Sequence, residues 1–374
     1  MKKILALALT LISVFCCAVF PADCVGEEEC SLSLSADSAV LIDAQSRDIL
    51  YSKSHEKRHG MASTTKIMTA LIAAESCDLK KTVHISPDAI GIEGSSIYLR
   101  EGETLTVEEL LYALLLQSAN DAATAIAIEI AGSTDAFADM MNSRADEMGL
   151  KNTHFTNPHG LSDEDHYTTA YDLAVIAAYA LENEVIRRIS STHKMTIPID
   201  SGCTQRVLVN HNKMLKLYDG AIGVKTGFTK ATGRCLVSAA EREGLRLVAV
   251  TLDAPDDWND HRTMLDFGFE HYESFVIAKP HSFRYELPIV GGDKESVTLT
   301  NLDELRLTLP KVRNDISCRV ELLHRFDFAP VEQGGTTGRV YYSYGNRTVS
   351  SELIFAENVL EKSEDLSFWN KFFN

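Results

Sequence analysis

β-prone and helix-prone segments are segregated along this chain. Residues 39–44 (Ala-Val-Leu-Ile-Asp-Ala) and 49–52 (Ile-Leu-Tyr-Ser) flank the polar Gln45-Ser46-Arg47-Asp48 and predict a β-hairpin. From Ser63 the pattern turns helical, with Ile67, Met68, Leu71 and Ile72 on one broad apolar face. Thr106 and Glu109 have capping-box spacing and open a helical run through residue 116. Residues 122–131 form a small-residue helix stopped by Gly132, Ser133 caps another that runs to Gly149, and residues 169–181 are helical again. Strand-like runs return at 221–229, 234–240 and 245–252, and 258–273 reads as helix. Strands at both ends of a helical middle predict α+β architecture, with the early hairpin and the late strands sharing one sheet and the helices forming an inserted lobe.

The pattern changes at Lys279-Pro280. Residues 281–358 offer short alternating runs at 297–299, 305–309 and 339–343, punctuated by Gly291-Gly292 and Gly334-Gly335, and predict a small C-terminal β-rich domain. Residues 359–374 read as a terminal helical, aromatic segment. Leu366, Trp369 and Phe373 share a helical face with Phe372 beside them, which suits peripheral membrane contact. Glu361, Glu364 and Asp365 precede them, and packing against the protein's own surface stays open. At the other end, Met1-Lys2-Lys3 followed by an uncharged apolar run to Phe20 has the layout of a secretory signal over residues 1–22. The chain is then exported, and residues 33–277 remain as the main folded unit.

Charge and cysteine usage narrow the function. Lys plus Arg number 36 against 53 Asp plus Glu, a formal charge of −17, which opposes nucleic-acid binding. Cys16 and Cys17 go with the leader; the other cysteines show neither C-x-x-C pairs nor spaced His ligands, so they read as scattered buried thiols rather than a zinc site, with disulfides left open in an exported chain.

Three short motifs carry chemistry. Ser63-Thr64-Thr65-Lys66 is an S-x-x-K tetrad, a pattern that also occurs at 54–57 and 191–194. Only Ser63 follows a Gly-containing polar loop and heads an apolar helix, where residues three apart lie roughly 5–6 Å from each other. Serine needs an adjacent base, and Lys66 can serve if burial and a second cation lower its pKa. Ser118-Ala119-Asn120 sits where one apolar helix meets the next, and Lys225-Thr226-Gly227 lies in a strand-like run whose glycine permits close approach by a substrate.

S-x-x-K, S-x-N and K-T-G in that order are the active-site motifs of the penicillin-recognising serine enzymes. With the flanking Ile67-Met68-Thr69, Asn157-Pro158-His159-Gly160-Leu161, Thr169-Ala170-Tyr171-Asp172-Leu173-Ala174 and 223–229, the chain resembles the serine-type D-alanyl-D-alanine carboxypeptidases among the low-molecular-mass penicillin-binding proteins. The resemblance covers nearly the whole chain after the leader. It implies a β-lactamase/transpeptidase-like catalytic domain over 33–277, an extracytoplasmic envelope location and no metal or cofactor. Peptidoglycan stem peptides are the implied substrates, and β-lactams the inhibitors. By the same resemblance Ser63 is the acylated nucleophile, Lys66 its general base and Ser118 a proton relay to the leaving amine, while Asn120 bonds the substrate backbone. Lys225 adds positive potential and with Thr226 takes the terminal carboxylate, beside Gly227. The backbone N–H groups of Ser63 and Phe228 form the oxyanion hole.

Two other readings are weighed. A class A β-lactamase uses a Glu in an E-x-x-L-N sequence, and none lies between Asn120 and Lys225. His159 occupies the candidate loop and reads as a packed histidine. A catalytically inactive envelope-binding homologue is opposed by the filled polar motif positions.

Overall fold

The computed structural model describes residues 32–199, 204–313 and 315–362. The expected leader at 1–22, Cys16, Cys17, Cys24, Cys30 and Cys203, and the terminal Leu366, Trp369, Phe372 and Phe373 lie outside the described residues.

Strands β1 (Ser38–Asp43) and β2 (Ile49–Lys53) pair antiparallel, as the alternation across a polar turn requires. A 3-10 turn, Ala62–Thr65, runs directly into α1 (Lys66–Ser76). The ribbon of β3 (Thr82–His84) and β4 (Thr104–Thr106) precedes α2 (Val107–Leu116). Thr106 and Glu109 form the reciprocal capping box there. Next come α3 (Asn120–Ala131), closed by left-handed Gly132, and α4 (Thr134–Glu147), capped by Ser133. Thr169 caps α5 (Ala170–Glu182), and Asn183 caps α6 (Glu184–Ser190). A second ribbon, β5 (Lys194–Pro198) with β6 (Gln205–Val209), leads through α7 (Met214–Leu217) to β7 (Ala221–Thr229), β8 (Gly233–Arg242) and β9 (Leu245–Leu252). Helix α8 (Asp257–His271) follows.

The main sheet has the order β2-β1-β9-β8-β7, so the hairpin that opens the chain does join the late strands. Every residue of β1 is buried. Its neighbours cover both edges, while α5 and α8 pack against the sheet. Ile67, Met68 and Leu71 of α1 join Leu110 and Leu114 of α2 and the sheet residues Val40, Ile42, Val248 and Val250 in one core. Each such side chain contributes roughly 1.5–3 kcal/mol when fully buried. β7 stands at the sheet edge, so one side of its backbone pairs with no other strand of that sheet.

The expected helix over 258–273 is two residues too long: it ends at His271, and β10 (Tyr272–Ala278) takes over. That β-prone stretch pairs with β13 (Leu305–Pro310), which draws it out of the helix. The remaining strands are β11 (Tyr285–Val290), β12 (Ser296–Asn301), β14 (Ser317–Leu322), β15 (Asp327–Phe328), β16 (Thr336–Tyr344) and β17 (Arg347–Phe355). They form a second sheet, β14-β16-β17-β12-β11-β15, around Leu287, Val297, Leu299, Val340, Leu353 and Phe355. Pairing continues past residue 358: Val359, fully buried in that core, bridges Val331, and Glu361 bridges Gly292. The first residues of the expected terminal helical segment therefore belong to the β-rich part. Three cysteines among the described residues are free, and they are not uniformly buried: Cys235 is buried, Cys77 intermediate and Cys318 exposed. Cys318 lies in β14, the edge strand of that sheet, whose residues are mostly exposed.

Candidate active site

The Ala62–Thr65 turn is held from several sides. Ala62 adopts a left-handed φ of 47°, a conformation that a non-glycine residue keeps only under local constraint. Its carbonyl accepts from Thr65 Oγ1 at 2.8 Å, and Thr65 Oγ1 lies 2.7 Å from His166 Nε2. The Thr156 N–H donates to His166 Nδ1 at 3.0 Å, which leaves the proton on Nε2 to donate to Thr65. Burial lowers the His166 pKa to about 4, so the ring is neutral and this orientation persists at pH 7. Gly160 fits under the turn only because it lacks a side chain: a Cβ there would lie 1.9 Å from the Ala62 carbonyl oxygen.

Lys66 begins α1 and is completely buried. Its Nζ contacts Ser63 Oγ at 2.9 Å, Asn120 Oδ1 at 2.7 Å and the His159 carbonyl at 2.5 Å. Burial and the nearby charge of Lys225 hold its pKa well below the ordinary lysine value, against an opposing pull from Asp121. Three partners suit either protonation state. An ammonium donates to all three; a neutral amine donates to Asn120 and His159 and turns its lone pair to the Ser63 hydroxyl. Pairing with the His159 carbonyl explains why the Asn157–Leu161 loop abuts the site: Asn157 Oδ1 accepts from the Gly160 N–H at 2.7 Å and fixes that carbonyl's direction. The His159 ring itself accepts from the Leu161 N–H at 3.2 Å, and burial takes its pKa down to about 3.

Ser118 lies in the α2–α3 junction with φ 61° and is buried. Asn120 opens α3; its N–H donates to the Ser95 carbonyl at 2.7 Å and its Nδ2 to the Glu93 carbonyl at 2.6 Å. Lys225 is buried in β7 and donates to the Thr226 carbonyl at 2.8 Å, and burial lowers its pKa to about 7. Gly227 brings the strand against the nucleophile: a Cβ there would lie 3.1 Å from the Ser63 nitrogen. Phe228, 64% exposed, stands at the rim.

Ser63, Ser118, Thr226, Gly227 and Phe228 line one cavity of about 360 Å³. Lys66 and Asn120 bond from behind Ser63, and Lys225 reaches the group through its field on Lys66. All eight expected residues therefore converge, although they come from three distant stretches of chain. A larger cavity of about 730 Å³ abuts the same turn between residues 58–62 and 162–167, but its walls do not include Ser63.

The motifs left several cavity residues unnoticed: Ser95, His211, Lys213, Arg234, Asp257 and Trp258. Asp121 was missed as well. It is buried beside Asn120 and accepts from Ser96 Oγ at 2.6 Å and from the Leu99 N–H at 3.0 Å, so it orders the 95–99 loop. Arg234 had a readable signal, since a tight hairpin after Gly227 returns the chain opposite Phe228.

A buried lysine against a serine at a helix start, with an edge strand beside them, defines a serine acyl-transfer enzyme on an α+β fold. The family profile of the D-alanyl-D-alanine carboxypeptidases matches residues 25–256. The D-alanyl-D-alanine carboxypeptidase DacF of Bacillus subtilis is 33% identical over 364 residues, covering 93% of each chain. DacA of Haemophilus influenzae is 30% identical, over 85% of this chain and 83% of its own. Among solved structures, penicillin binding protein 5 from Haemophilus influenzae aligns with a TM-score of 0.73 at 28% identity, over 88% of this chain and 99% of its own. The chain belongs to the D-alanyl-D-alanine carboxypeptidase family.

Proposed function

We propose that the chain is a serine D-Ala-D-Ala carboxypeptidase that removes the terminal D-Ala from peptidoglycan pentapeptide stems through a Ser63 acyl-enzyme, and that β-lactams acylate the same serine. The observation that carries this reading is the 2.9 Å contact between Lys66 Nζ and Ser63 Oγ at a fully buried lysine. Neutral Lys66 takes the Ser63 proton as Oγ bonds to the carbonyl carbon of the penultimate D-Ala. The developing oxyanion faces the N–H groups of Ser63 and Phe228. Ser118 passes the proton from Lys66 to the departing amine as the C–N bond breaks and D-Ala leaves. Asn120 and the edge of β7 hold the stem peptide. Water then attacks the ester, and its proton returns to Ser63 Oγ by way of Lys66.

Incubation with diacetyl-Lys-D-Ala-D-Ala is expected to release D-Ala, and intact mass after penicillin treatment to show one adduct on Ser63. Ser63→Ala abolishes both. No D-Ala together with no adduct sinks the enzyme reading; rapid penicillin turnover without D-Ala release points instead to a β-lactamase.

Such an enzyme works in the extracytoplasmic envelope. Among the described residues no helix is long and apolar enough to cross a membrane. The spacing of Leu366, Trp369, Phe372 and Phe373 supports peripheral contact with the outer face of the cytoplasmic membrane. Deleting residues 364–374 is expected to move the leader-processed protein into the soluble fraction. An unchanged membrane fraction refutes the contact.

A further inference from the structure

We propose that Thr65 and His166 aim and polarise the Ser63 N–H, so that a chain of buried hydrogen bonds behind the nucleophile sets the strength of the oxyanion hole. The inference rests on the acyl-transfer reading above and deepens it, adding two positioning residues that act through the backbone. Peptide geometry carries the link. The Ala62 carbonyl and the Ser63 N–H belong to one planar amide, so whatever holds the oxygen also directs the hydrogen on the opposite side.

Thr65 Oγ1 donates to the Ala62 oxygen at 2.8 Å, and His166 Nε2 donates in turn to Thr65 Oγ1 at 2.7 Å. The chain starts at the Thr156 N–H, which donates to His166 Nδ1 at 3.0 Å. Thr65 and His166 are both buried, and in such an interior consecutive hydrogen bonds polarise and strengthen one another. Charge drawn toward the Ala62 oxygen leaves the nitrogen of the same amide, and the Ser63 N–H becomes a stronger donor. The two sides of that amide face different parts of the molecule. A Cβ on Gly160 would lie 1.9 Å from the Ala62 oxygen, whereas one on Gly227 would lie 3.1 Å from the Ser63 nitrogen. The oxygen therefore faces the 157–161 loop, and the nitrogen faces β7, which lines the cavity. Ala62 keeps its left-handed φ of 47° because this bond and the Gly160 contact hold it there. Thr64 supplies an internal contrast. Its Oγ1 donates to the Met61 carbonyl at 2.6 Å and it is equally buried, but that amide carries the Ala62 N–H, which is not an oxyanion donor.

Benzylpenicillin isotope-labelled at its lactam carbonyl leaves an ester carbonyl in the oxyanion hole, and infrared difference spectra of the acyl-enzyme read its stretching frequency. Stronger hydrogen bonds to the ester oxygen lower that frequency. The unsubstituted adduct is expected at lower wavenumber than the same adduct after denaturation. Thr65→Val moves it to higher wavenumber and slows acylation at saturating penicillin on the order of tenfold, a fraction of the roughly 100- to 1,000-fold that losing an oxyanion donor costs. His166→Phe shifts the frequency the same way by less, and Thr65→Ser, which keeps the hydroxyl, reverses both effects of Thr65→Val. Thr64→Val removes the equivalent bond from the neighbouring amide, so it lowers the thermal midpoint comparably but leaves the frequency in place. Equal frequency shifts in Thr64→Val and Thr65→Val, or an unchanged frequency in both Thr65→Val and His166→Phe, overturn the proposal. Should Thr65→Val fail to fold, His166→Phe against Thr64→Val decides it by the same readout. An unsubstituted protein that forms no adduct sinks the acyl-transfer reading and this inference with it; an adduct whose frequency ignores Thr65 and His166 sinks the inference alone.

Discussion

Lys66→Met is expected to slow acylation of Ser63 by about 10³-fold, within the range that a positioned general base supplies. Methionine keeps the length and apolar stem of the lysine but offers neither a lone pair nor a charge. The fold tolerates the change, because burying an amine is itself unfavourable and the burial of Lys66 is complete. Thermal midpoint should therefore hold or rise while acylation collapses. Stopped-flow acylation with a fluorescent penicillin, alongside a thermal melt, checks both. Acylation within tenfold of the unsubstituted protein would remove Lys66 from the role of base.

The pH dependence follows from the same pair of lysines. Acylation needs Lys66 as a free amine, so the rate rises with pH through its lowered pKa and reaches its plateau earlier than an ordinary lysine allows. Lys225 titrates at about 7, also because of burial. As it loses its charge, the field that lowers the Lys66 pKa fades, and so does part of the attraction for the substrate carboxylate. The kcat/KM profile on the peptide is accordingly bell-shaped, and its alkaline limb begins near neutrality. The stability contributed by these two lysines rises with pH. Both amines bind their protons more weakly folded than unfolded, so their contribution is complete above pH 10.5 and is lost as pH falls through the folded value, about 7 for Lys225.

Most of the catalytic set was legible because its residues occur in short, ordered motifs whose chemistry demands them. Ser63 and Lys66 lie one helical turn apart, and Thr106 with Glu109 or Ser133 announced helix starts through local hydrogen bonds. What stayed hidden depends on contacts between distant positions. The 2.7 Å bond between Lys66 and Asn120 spans 54 residues, and no local pattern reveals that Asp121 orders the 95–99 loop. Arg234 and Asp257 stand 23 residues apart, in β8 and at the start of α8, and only the fold brings them within 2.7 Å. The end of α8 was misplaced for a related reason. Tyr272–Ala278 carries apolar residues that suit either period, and pairing with β13 decided the outcome. Residues 359–361 likewise became β-rich because Val331 and Gly292 were waiting to pair.

Gly160→Ala separates the geometry of the turn from its chemistry, since no reacting group is altered. Gly160 holds φ at +88°, and an added Cβ would lie 1.9 Å from the Ala62 carbonyl oxygen and 2.8 Å from Thr65 Oγ1. The first of these is backbone, so the turn or the loop must move. If the loop gives way, the His159 carbonyl leaves Lys66; if the turn gives way, Ser63 shifts from both Lys66 and Gly227. A displacement near 1 Å can slow a reaction about 100-fold, and we expect acylation to fall by at least that much. Gly149→Ala is the control. Gly149 has φ +75° but nothing within 4 Å of an added Cβ, so it bears the backbone penalty of roughly 1 kcal/mol without a clash. Its thermal midpoint drops by a few degrees and its acylation rate stays unchanged. Comparable acylation losses in both variants would mean that global stability governs the rate. Near-normal acylation in Gly160→Ala would mean that the contact between the 157–161 loop and the turn does not position Ser63.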